Sequence, residues 1–233
     1  MRPDKECCRK NGVRYFPMII VVKVGYNLGE IKKDMIIGLT GDIASGKSES
    51  AKYFEELGAF CIDADAVAKE LTCKDKPALK EIVKVFGDDI LSVDGTLNRK
   101  KLADIIFSDV SSKFKVEEIL HSRIFFRINE IILKKIVEKE VIVVNARLLF
   151  ETDLGKVCDK IVTIKIPYDI QIERLALRDG LSDDEIKKRI ASSQMSMEEK
   201  IKLSDFVVDN SGSKRSLKKK IKNIYGLLTS SFK

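Results

Sequence analysis

The feature that most constrains the fold is a glycine-rich segment at residues 41–48, GDIASGKS, which matches the pattern G-x-x-x-x-G-K-[ST]. A short apolar run at residues 36–40 comes directly before it, and a stretch with helical character, residues 47–57, begins at its end. This motif binds phosphate when a strand enters the loop and a helix leaves it. The segment therefore predicts a P-loop nucleotide-binding protein of the α/β class.

Each residue type in the motif has a physical reason to be there. Gly41 and Gly46 permit backbone angles that are closed to other residues, so main-chain N–H groups can approach phosphate oxygens. These groups and the helix N-terminus near Lys47 form a partly positive concavity for an anion. We expect Lys47 to contact the β- and γ-phosphates and the Ser48 hydroxyl to ligate Mg²⁺. Because the guanine-reading motif N-K-x-D is absent, ATP is favoured over a regulatory GTP switch.

Short apolar runs alternate with helical stretches along the rest of the chain. The runs that we predict to be strands are residues 36–40, 59–62, 141–144, 161–166 and 206–208. Such runs, separated by helices, indicate a parallel five-stranded sheet that is covered on both faces. Residues 66–140 have helical character and are too many for a simple crossover, so we predict an inserted helical substrate domain there.

Charge and cysteine content narrow the class of protein. The 233 residues carry a net charge of +7, which suits phosphate-rich ligands, nucleic acid or acidic lipid without choosing among them. No apolar run approaches the ~20 residues of a membrane helix. The five cysteines include no C-x-x-C pair and there is one histidine, which argues against a disulfide framework or a Cys/His zinc site. Scattered free thiols favour a cytoplasmic location.

The first 34 residues differ in character from the rest of the chain. They combine a basic start with a short apolar stretch at residues 15–24, and no signal-peptide cleavage pattern comes after that stretch. Met35 stands immediately before the first predicted strand. We expect residues 1–34 to lie outside the domain, translation to start naturally at Met35, and the P-loop domain to span residues 35–233.

Two carboxylates come after the second predicted strand, in the sequence CIDAD at residues 61–65. On an extended chain Asp63 and Asp65 would point to the same side, and at the carboxyl end of a parallel strand they would face the ligand crevice. One could accept the proton of an acceptor hydroxyl while the other holds a magnesium-bound water. Alternatively, either could simply cap the helix that we predict to begin near Ala66.

A helix-turn-helix pattern starts near Arg174. Arg174 and Arg178 are four residues apart and share one helix face, and an Asp-Gly pair then ends that helix. Ser182 with Glu185 forms a capping box for the next helix. We predict a lid at about residues 174–200 that closes over ATP and neutralises phosphate charge. The alternative is that these are ordinary surface arginines.

Taken in order, the motifs resemble those of the dephospho-CoA kinase family. The matching blocks are IIGLTGDIASGKS (36–48), FCIDADAVAKEL (60–71), DGTLNRKKLADIIF (94–107), LHSRI (120–124), LLFE (148–151), ERLALRDGLS (173–182), RIASSQM (189–195) and DFVVDNSGS (205–213). They extend from residue 35 to about residue 228 and leave out only the N-terminal segment. Many kinases share the P-loop, but the combination of these blocks is far more specific.

The resemblance implies a three-layer α/β P-loop kinase core, an inserted helical domain for the CoA portion of the substrate, and a lid. It implies ATP-dependent phosphorylation of the ribose 3′-hydroxyl of dephospho-CoA, the last step of coenzyme A synthesis. On matching positions it makes Asp65 the general base, Arg178 a lid arginine and Asn210 a contact to the adenine of ATP.

These considerations give a complete set of predicted site residues. The catalytic residues are Asp65, Lys47 and Arg178; the ATP-binding residues are Gly41, Ala44, Ser45, Gly46, Lys47, Ser48, Glu49, Arg174 and Asn210; the substrate-binding residues are Asp63 and His121; and Ser48 is the metal ligand. His121 is expected to position substrate because Asp65 already fills the role of the base. The expected partner is dephospho-CoA, with no nucleic-acid, membrane or obligate protein partner.

Four positions depart from the family pattern. Ser122 follows the histidine where the family has proline, Arg147 replaces the proline before Leu-Leu-Phe-Glu, and Glu49 replaces a threonine. Asn145 stands where an aspartate is often found, which argues against a direct carboxylate contact to magnesium there. Arg147 alters a turn beside the substrate, so we expect it to affect acceptor affinity more than reaction type.

Two other functions remain open from the sequence. One is another small-molecule P-loop kinase, of the nucleoside-monophosphate or shikimate type. The other is a basic nucleic-acid-binding ATPase, since Lys and Arg gather near the C-terminus. That cluster offers only Tyr225 for stacking on bases, and no recognised nucleic-acid module is present.

Overall fold

The structure is a computed structural model, and it describes residues 35–180, 182–191 and 193–230. The segment that we expect to lie outside the domain, residues 1–34, is not among the described residues. The strands are β1 (Met35–Gly41), β2 (Phe60–Asp63), β3 (Val141–Asn145), β4 (Lys160–Lys165) and β5 (Phe206–Asp209). The α-helices are α1 (Lys47–Glu56), α2 (Ala64–Leu71), α3 (Pro77–Phe86), α4 (Arg99–Ser108), α5 (Val110–Lys135), α6 (Leu154–Val157), α7 (Tyr168–Asp179), α8 (Asp183–Ala191), α9 (Met197–Leu203) and α10 (Lys214–Thr229).

The five strands form one parallel sheet in the order β2-β3-β1-β4-β5. Every residue of β3 is buried, which is expected of a strand covered on both faces. On one face, Ile37 and Leu39 of β1 pack with Phe54 of α1 and Ile221 of α10. On the other face Gly38 lies close to Leu149. The chain therefore has helices on both sides of a parallel sheet, and the predicted three-layer α/β class is confirmed.

The predicted strands are confirmed to within a residue or so at each end. The second strand, predicted at residues 59–62, is formed by Phe60–Asp63, and the one predicted at residues 161–166 is formed by Lys160–Lys165. The first helix begins at Lys47 as expected and ends at Glu56. These elements coincide with local apolar runs, which is why their positions are readable from sequence.

One expectation about the carboxylates is wrong. The helix α2 begins at Ala64 and not near Ala66, so Asp65 lies in its first turn and is not on an extended strand beside Asp63. The cause is the Asp63 side chain, which accepts hydrogen bonds from the backbone N–H groups of Asp65 (2.8 Å) and Ala66 (3.2 Å). This satisfies donors that have no partner within the helix and fixes its start. The alternative that Asp63 acts as a helix cap is confirmed.

Helices α2 to α5 lie in the chain between β2 and β3, where we predicted an inserted region. They contain a hydrophobic cluster of their own, formed by Leu79, Ile82, Ile90, Leu97, Leu102 and Val116. The long helix α5 contacts α2, α3 and α4 as well as β2, so it connects this cluster with the sheet. Among the described helices, none combines the length and the apolar character needed to cross a bilayer.

Candidate active site

The phosphate loop is built on backbone conformations that favour glycine. Gly41 has φ of 147° and Gly46 has φ of 95°, both in the region that L-residues rarely adopt. A Cβ on Gly46 would meet the side-chain amide nitrogen of Asn210, and one on Gly41 would meet the carbonyl oxygen of Ile164. Ala44 also has a positive φ, 61°. The motif glycines are therefore required both by the turn and by close packing.

Side chains from the C-terminal half of the chain hold four consecutive residues of this loop. The contacts are Lys200 Nζ to Asp42 Oδ1 (2.9 Å), Gln171 Nε2 to the carbonyl oxygen of Ile43 (2.9 Å), Arg174 Nη1 to that of Ala44 (3.5 Å) and Asn210 Nδ2 to that of Ser45 (2.8 Å). Because three loop carbonyls are bound from outside, the N–H groups of the first turn of α1 are the groups left to meet an anion. These contacts hold the loop in a conformation that presents N–H groups to a phosphate.

Lys47 lies at the N-terminus of α1, and its ammonium group is 3.4 Å from the carbonyl oxygen of Asp42. Burial lowers the pKa of Lys47 to about 8, and the nearby carboxylate of Asp65 opposes that shift. The positive charges of Arg147 and Lys200 lower it further. A buried lysine surrounded by other cations gains a partner when a polyphosphate enters, so this group is suited to bind one.

Two cavities meet beside the loop. The first, which we call the loop cavity, has a volume of about 730 Å³ and is lined by residues 43–49, Asn210 and arginines that include Arg174, Arg178 and Arg189. The second, which we call the helix cavity, has a volume of about 820 Å³ and is lined by α5, residues 146–154 and the start of α2. Asp65 and Arg147 line both cavities. A group bound in one cavity can therefore approach a group bound in the other at Asp65.

The two neighbouring carboxylates have different surroundings. Asp63 caps α2 through its Oδ1 atom and lines neither cavity, whereas Asp65 lies at the junction of the two cavities. The cap directs Asp65 there, because it places that residue in the first turn of a helix that starts at the carboxyl end of β2. A carboxylate that faces open space between two cavities is free to accept a proton.

Besides Arg147, three arginines line the loop cavity. Arg174 of α7 donates to the carbonyl oxygen of Asn210 (2.9 Å), so it is held against the loop. Arg178 donates twice to Asp179 (2.8 and 2.9 Å), and Arg189 of α8 donates to the same carboxylate (3.0 Å). Hydrogen bonds from Arg178 are the main cause of a lowered pKa of Asp179. The positive charges of Arg178 and Arg189 lower this pKa further. This carboxylate therefore keeps two cations together at the rim of the cavity.

The predicted helix-turn-helix near Arg174 is confirmed. Gly180 ends α7 with φ of 63°, and the Glu185 carboxylate accepts hydrogen bonds from the N–H (2.9 Å) and the hydroxyl (2.7 Å) of Ser182. The turn places Arg189 beside Arg178. Sequence analysis missed Arg189, because it is one of several cations on an exposed helix and no spacing distinguishes it.

The remaining predicted residues fall in one cavity or the other. Ser48 and Glu49 line the loop cavity, where Glu49 also accepts a hydrogen bond from the Tyr53 hydroxyl (2.8 Å). His121, on α5, lines the helix cavity and is remote from the phosphate loop in chain position. Asn210 lines the loop cavity, and its amide nitrogen donates a hydrogen bond to the carbonyl oxygen of Ser45. Gln171 and Lys200 were missed because their contacts join segments far apart in sequence.

Comparison with known proteins connects this geometry to a family. The sequence profile of dephospho-CoA kinase matches residues 35–216. The chain belongs to the dephospho-CoA kinase family. The dephospho-CoA kinase of Aquifex aeolicus is 42% identical over 193 residues, which cover 83% of this chain and 97% of that protein.

Solved structures agree with this assignment. The crystal structure of TT1252 from Thermus thermophilus has a TM-score of 0.71 and 29% identity, and the match covers 85% of this chain and 100% of that one. The dephospho-CoA kinase from Campylobacter jejuni has a TM-score of 0.57 and 26% identity, covering 84% and 98%. Membership of the dephospho-CoA kinase family makes the protein a P-loop kinase with ATP as its phosphoryl donor.

Proposed function

We propose that this protein transfers the γ-phosphoryl group of ATP to the ribose 3′-hydroxyl of dephospho-CoA, giving coenzyme A and ADP in the last step of coenzyme A synthesis. The observation that carries the proposal is the position of Asp65, which lines both the loop cavity and the helix cavity. Two substrates that occupy the two cavities would meet at a carboxylate. Family membership supports the identity of both substrates.

The loop cavity is the site for ATP in this proposal. The first turn of α1 offers N–H groups to the β- and γ-phosphates, and Lys47 adds a full positive charge. Arg178 and Arg189 reach the same cavity from the lid and supply the charge that a developing phosphoryl transition state requires. Asn210 and Glu49 line the same cavity, where the nucleoside portion would bind.

The helix cavity is the site for dephospho-CoA. Its wall combines apolar side chains of α5, such as Phe125 and Phe126, with the polar groups His121 and Asp65. An apolar wall suits the pantetheine arm and the adenine of the acceptor, while polar groups orient its ribose. His121 is assigned a positioning role because it lies on α5, on the acceptor side.

Proton movement is the part of the reaction that needs a side chain. The acceptor hydroxyl must lose its proton as its oxygen attacks the γ-phosphorus, and the ADP oxygen leaves on the opposite side. Asp65 is a carboxylate within the crevice and takes that proton in the proposed mechanism. Lys47 and the lid arginines hold the phosphoryl oxygens in line, which supplies most of the barrier reduction.

The residues present also fit a magnesium ion. Ser48 and Asp65 place hard oxygen donors on the loop cavity, while the described residues contain no cluster of three or more His, Cys, Asp or Glu that could hold a metal. This donor set matches an ion that is bound mainly through phosphate oxygens and water, as Mg²⁺ is in kinases. When bound, Mg²⁺ would neutralise charge on the β- and γ-phosphates, with the Ser48 hydroxyl as its protein ligand.

We further infer that the enzyme works in the cytoplasm on a small molecule, without a nucleic-acid, membrane or obligate protein partner. The free thiols of Cys61 and Cys73 support a reducing compartment. Basic residues of the C-terminal helix are engaged within the fold: Lys218 pairs with Glu56 (2.6 Å), and Lys220 donates to the carbonyl oxygen of Asp209 (2.6 Å). Lys218 and Lys220 therefore take part in contacts that hold the C-terminal helix against the rest of the fold.

A comparison of acceptors tests the proposal. ADP release from MgATP is measured with dephospho-CoA, nucleoside monophosphates and shikimate, and with single-stranded DNA or RNA as a further arm. We expect stoichiometric ADP formation with dephospho-CoA and a rate at least about 10²-fold lower with the other acceptors. Faster turnover with shikimate or a nucleoside monophosphate, or hydrolysis stimulated by nucleic acid, would contradict the proposal.

A further inference from the structure

Lys200 is a buried lysine outside the set of residues discussed above for catalysis. It lies in α9, whose start is set by a capping box between Ser196 and Glu199. Its side chain is 0% exposed, and its ammonium group is 2.9 Å from Asp42 Oδ1 and 3.4 Å from the hydroxyl of Ser193. The same ammonium group is 3.8 Å from Glu151 Oε1. Three separate segments of the chain therefore meet at one cation.

The surroundings place the side chain of Lys200 between two carboxylates. Burying a charge is costly unless it is paired, and here Asp42 and Glu151 provide the opposing charge. The Glu151 side chain is 6% exposed, and within the described part of the chain its two carboxylate oxygens accept no hydrogen bond. Lys200 thus binds Asp42 directly and balances the charge of Glu151 from a greater distance.

Asp42 is the first variable residue of the phosphate loop, so its position affects the whole loop. Its carbonyl oxygen accepts hydrogen bonds from the N–H of Ser45 (3.2 Å) and from the ammonium group of Lys47 (3.4 Å). Holding the Asp42 side chain in place therefore also holds its carbonyl oxygen. The Ser45 N–H and the Lys47 ammonium group both contact that oxygen. Gln171, Arg174 and Asn210 hold the next three residues through backbone atoms, whereas Lys200 alone among these contacts binds a loop side chain.

We propose that Lys200 is a positioning residue for ATP: through Asp42 it holds the phosphate loop and Lys47 in the geometry that receives the phosphates. A buried ion pair adds little net stability compared with well-packed apolar residues of similar volume. A methionine or leucine in α9 would fill the same space, so stability alone does not account for a buried lysine here. The role concerns the nucleotide and is independent of which hydroxyl accepts the phosphoryl group.

The test measures ATP affinity by isothermal titration calorimetry without any acceptor. The result can therefore be interpreted even if the acceptor is not dephospho-CoA. Lys200→Met should weaken ATP binding by about 10- to 100-fold, the range expected for losing a hydrogen bond to a charged group. Lys202→Met is the matched control, because Lys202 is on the same helix but exposed, and it should bind ATP like the wild type. Thermal unfolding of each variant shows that it is folded at the temperature of the titration.

A double-mutant cycle with Asp42→Asn decides whether Lys200 acts through Asp42. We expect Lys200→Met/Asp42→Asn to bind ATP as weakly as Asp42→Asn alone, since the second change removes a contact that is already lost. The double variant removes the Lys200–Asp42 pair but leaves the buried carboxylate of Glu151. If Lys200→Met does not fold, the same comparison is made with Glu151→Gln added to every protein in the cycle, which removes that remaining charge. The proposal is overturned if folded Lys200→Met binds ATP normally, or if the double variant binds much more weakly than Asp42→Asn.

Discussion

At the scale of single residues, two aspartates that are close in sequence have different tasks because a helix starts between them. Asp63 ends β2 and caps α2, and this capping places Asp65 at the junction of the two cavities. Chain position alone did not distinguish them, since on an extended chain they would point to the same side. The difference arises from the hydrogen bonds of Asp63 to the first turn of the helix.

This difference predicts unequal effects of the same substitution. Asp65→Asn keeps the shape of the side chain but cannot take up a proton, so kcat should fall by about 10²–10⁴-fold with ATP binding nearly unchanged. Asp63→Asn should retain most of the activity, because asparagine is as good an N-cap as aspartate. Both variants are assayed side by side with saturating ATP and dephospho-CoA. An inactive Asp63→Asn together with a nearly normal Asp65→Asn would show that the base is the other carboxylate.

Lys47 gives a prediction about pH. Burial lowers its pKa to about 8, so in the free enzyme the ammonium group loses its proton as pH rises through that value. ATP binds the protonated form, and its affinity should therefore fall by roughly tenfold per pH unit above about pH 8. Calorimetric titration with ATP, without magnesium, between pH 7 and pH 9.5 measures this. Lys47→Met is the control: it should bind weakly at every pH, and an equal pH dependence in this variant would assign the effect to another group.

At the scale of elements, the phosphate loop shows what local sequence can and cannot reveal. The strand β1, the loop and the start of α1 were predictable because an apolar run, two glycines and a Gly-Lys-Ser sequence stand next to one another. The side chains that hold the loop were not predictable. Lys200 and Asp42 are 158 residues apart, and Gln171 and Ile43 are 128 residues apart. Only the folded sheet brings such positions together.

The loop also supplies a prediction about glycine. Gly46→Ala should lower kcat/KM by at least about 10²-fold and destabilise the protein by about 1–3 kcal/mol, because alanine is strained at φ of 95° and its Cβ would meet Asn210. Gly226→Ala is the matched control, since Gly226 lies within α10 with open space around a new Cβ. This change should stabilise the protein by about 0.5–1 kcal/mol and leave activity unchanged. Steady-state kinetics and denaturant unfolding distinguish the two outcomes, and a fully active Gly46→Ala would contradict the account of the loop.

At the scale of the whole molecule, the parallel sheet explains where the site is. The carboxyl ends of β1, β2 and β3 lead into the phosphate loop, the cap of α2 and the residues beside Arg147, and these meet at one edge of the sheet. The fold class was predictable from alternating strands and helices. The two cavities were not, because the positions of α5, α7 and α8 around that edge are a property of tertiary structure.

The domain boundary is a further prediction at this scale. A protein that begins at Met35 should fold and catalyse like the full chain, because β1 begins at that residue and the family match begins there too. Unfolding midpoints and kcat of the two proteins are compared under identical conditions. A shortened protein that aggregates or loses activity would show that residues 1–34 belong to the domain.

The central claim is the transfer of a phosphoryl group from ATP to the ribose 3′-hydroxyl of dephospho-CoA. The most direct measurement uses ATP with heavy oxygen in its γ-phosphoryl group, with mass spectrometry and phosphorus NMR of the products. The account predicts ADP and coenzyme A in equal amounts, with the label in a 3′-phosphate on the ribose. Label in inorganic phosphate alone, or on a different hydroxyl of the acceptor, would contradict it.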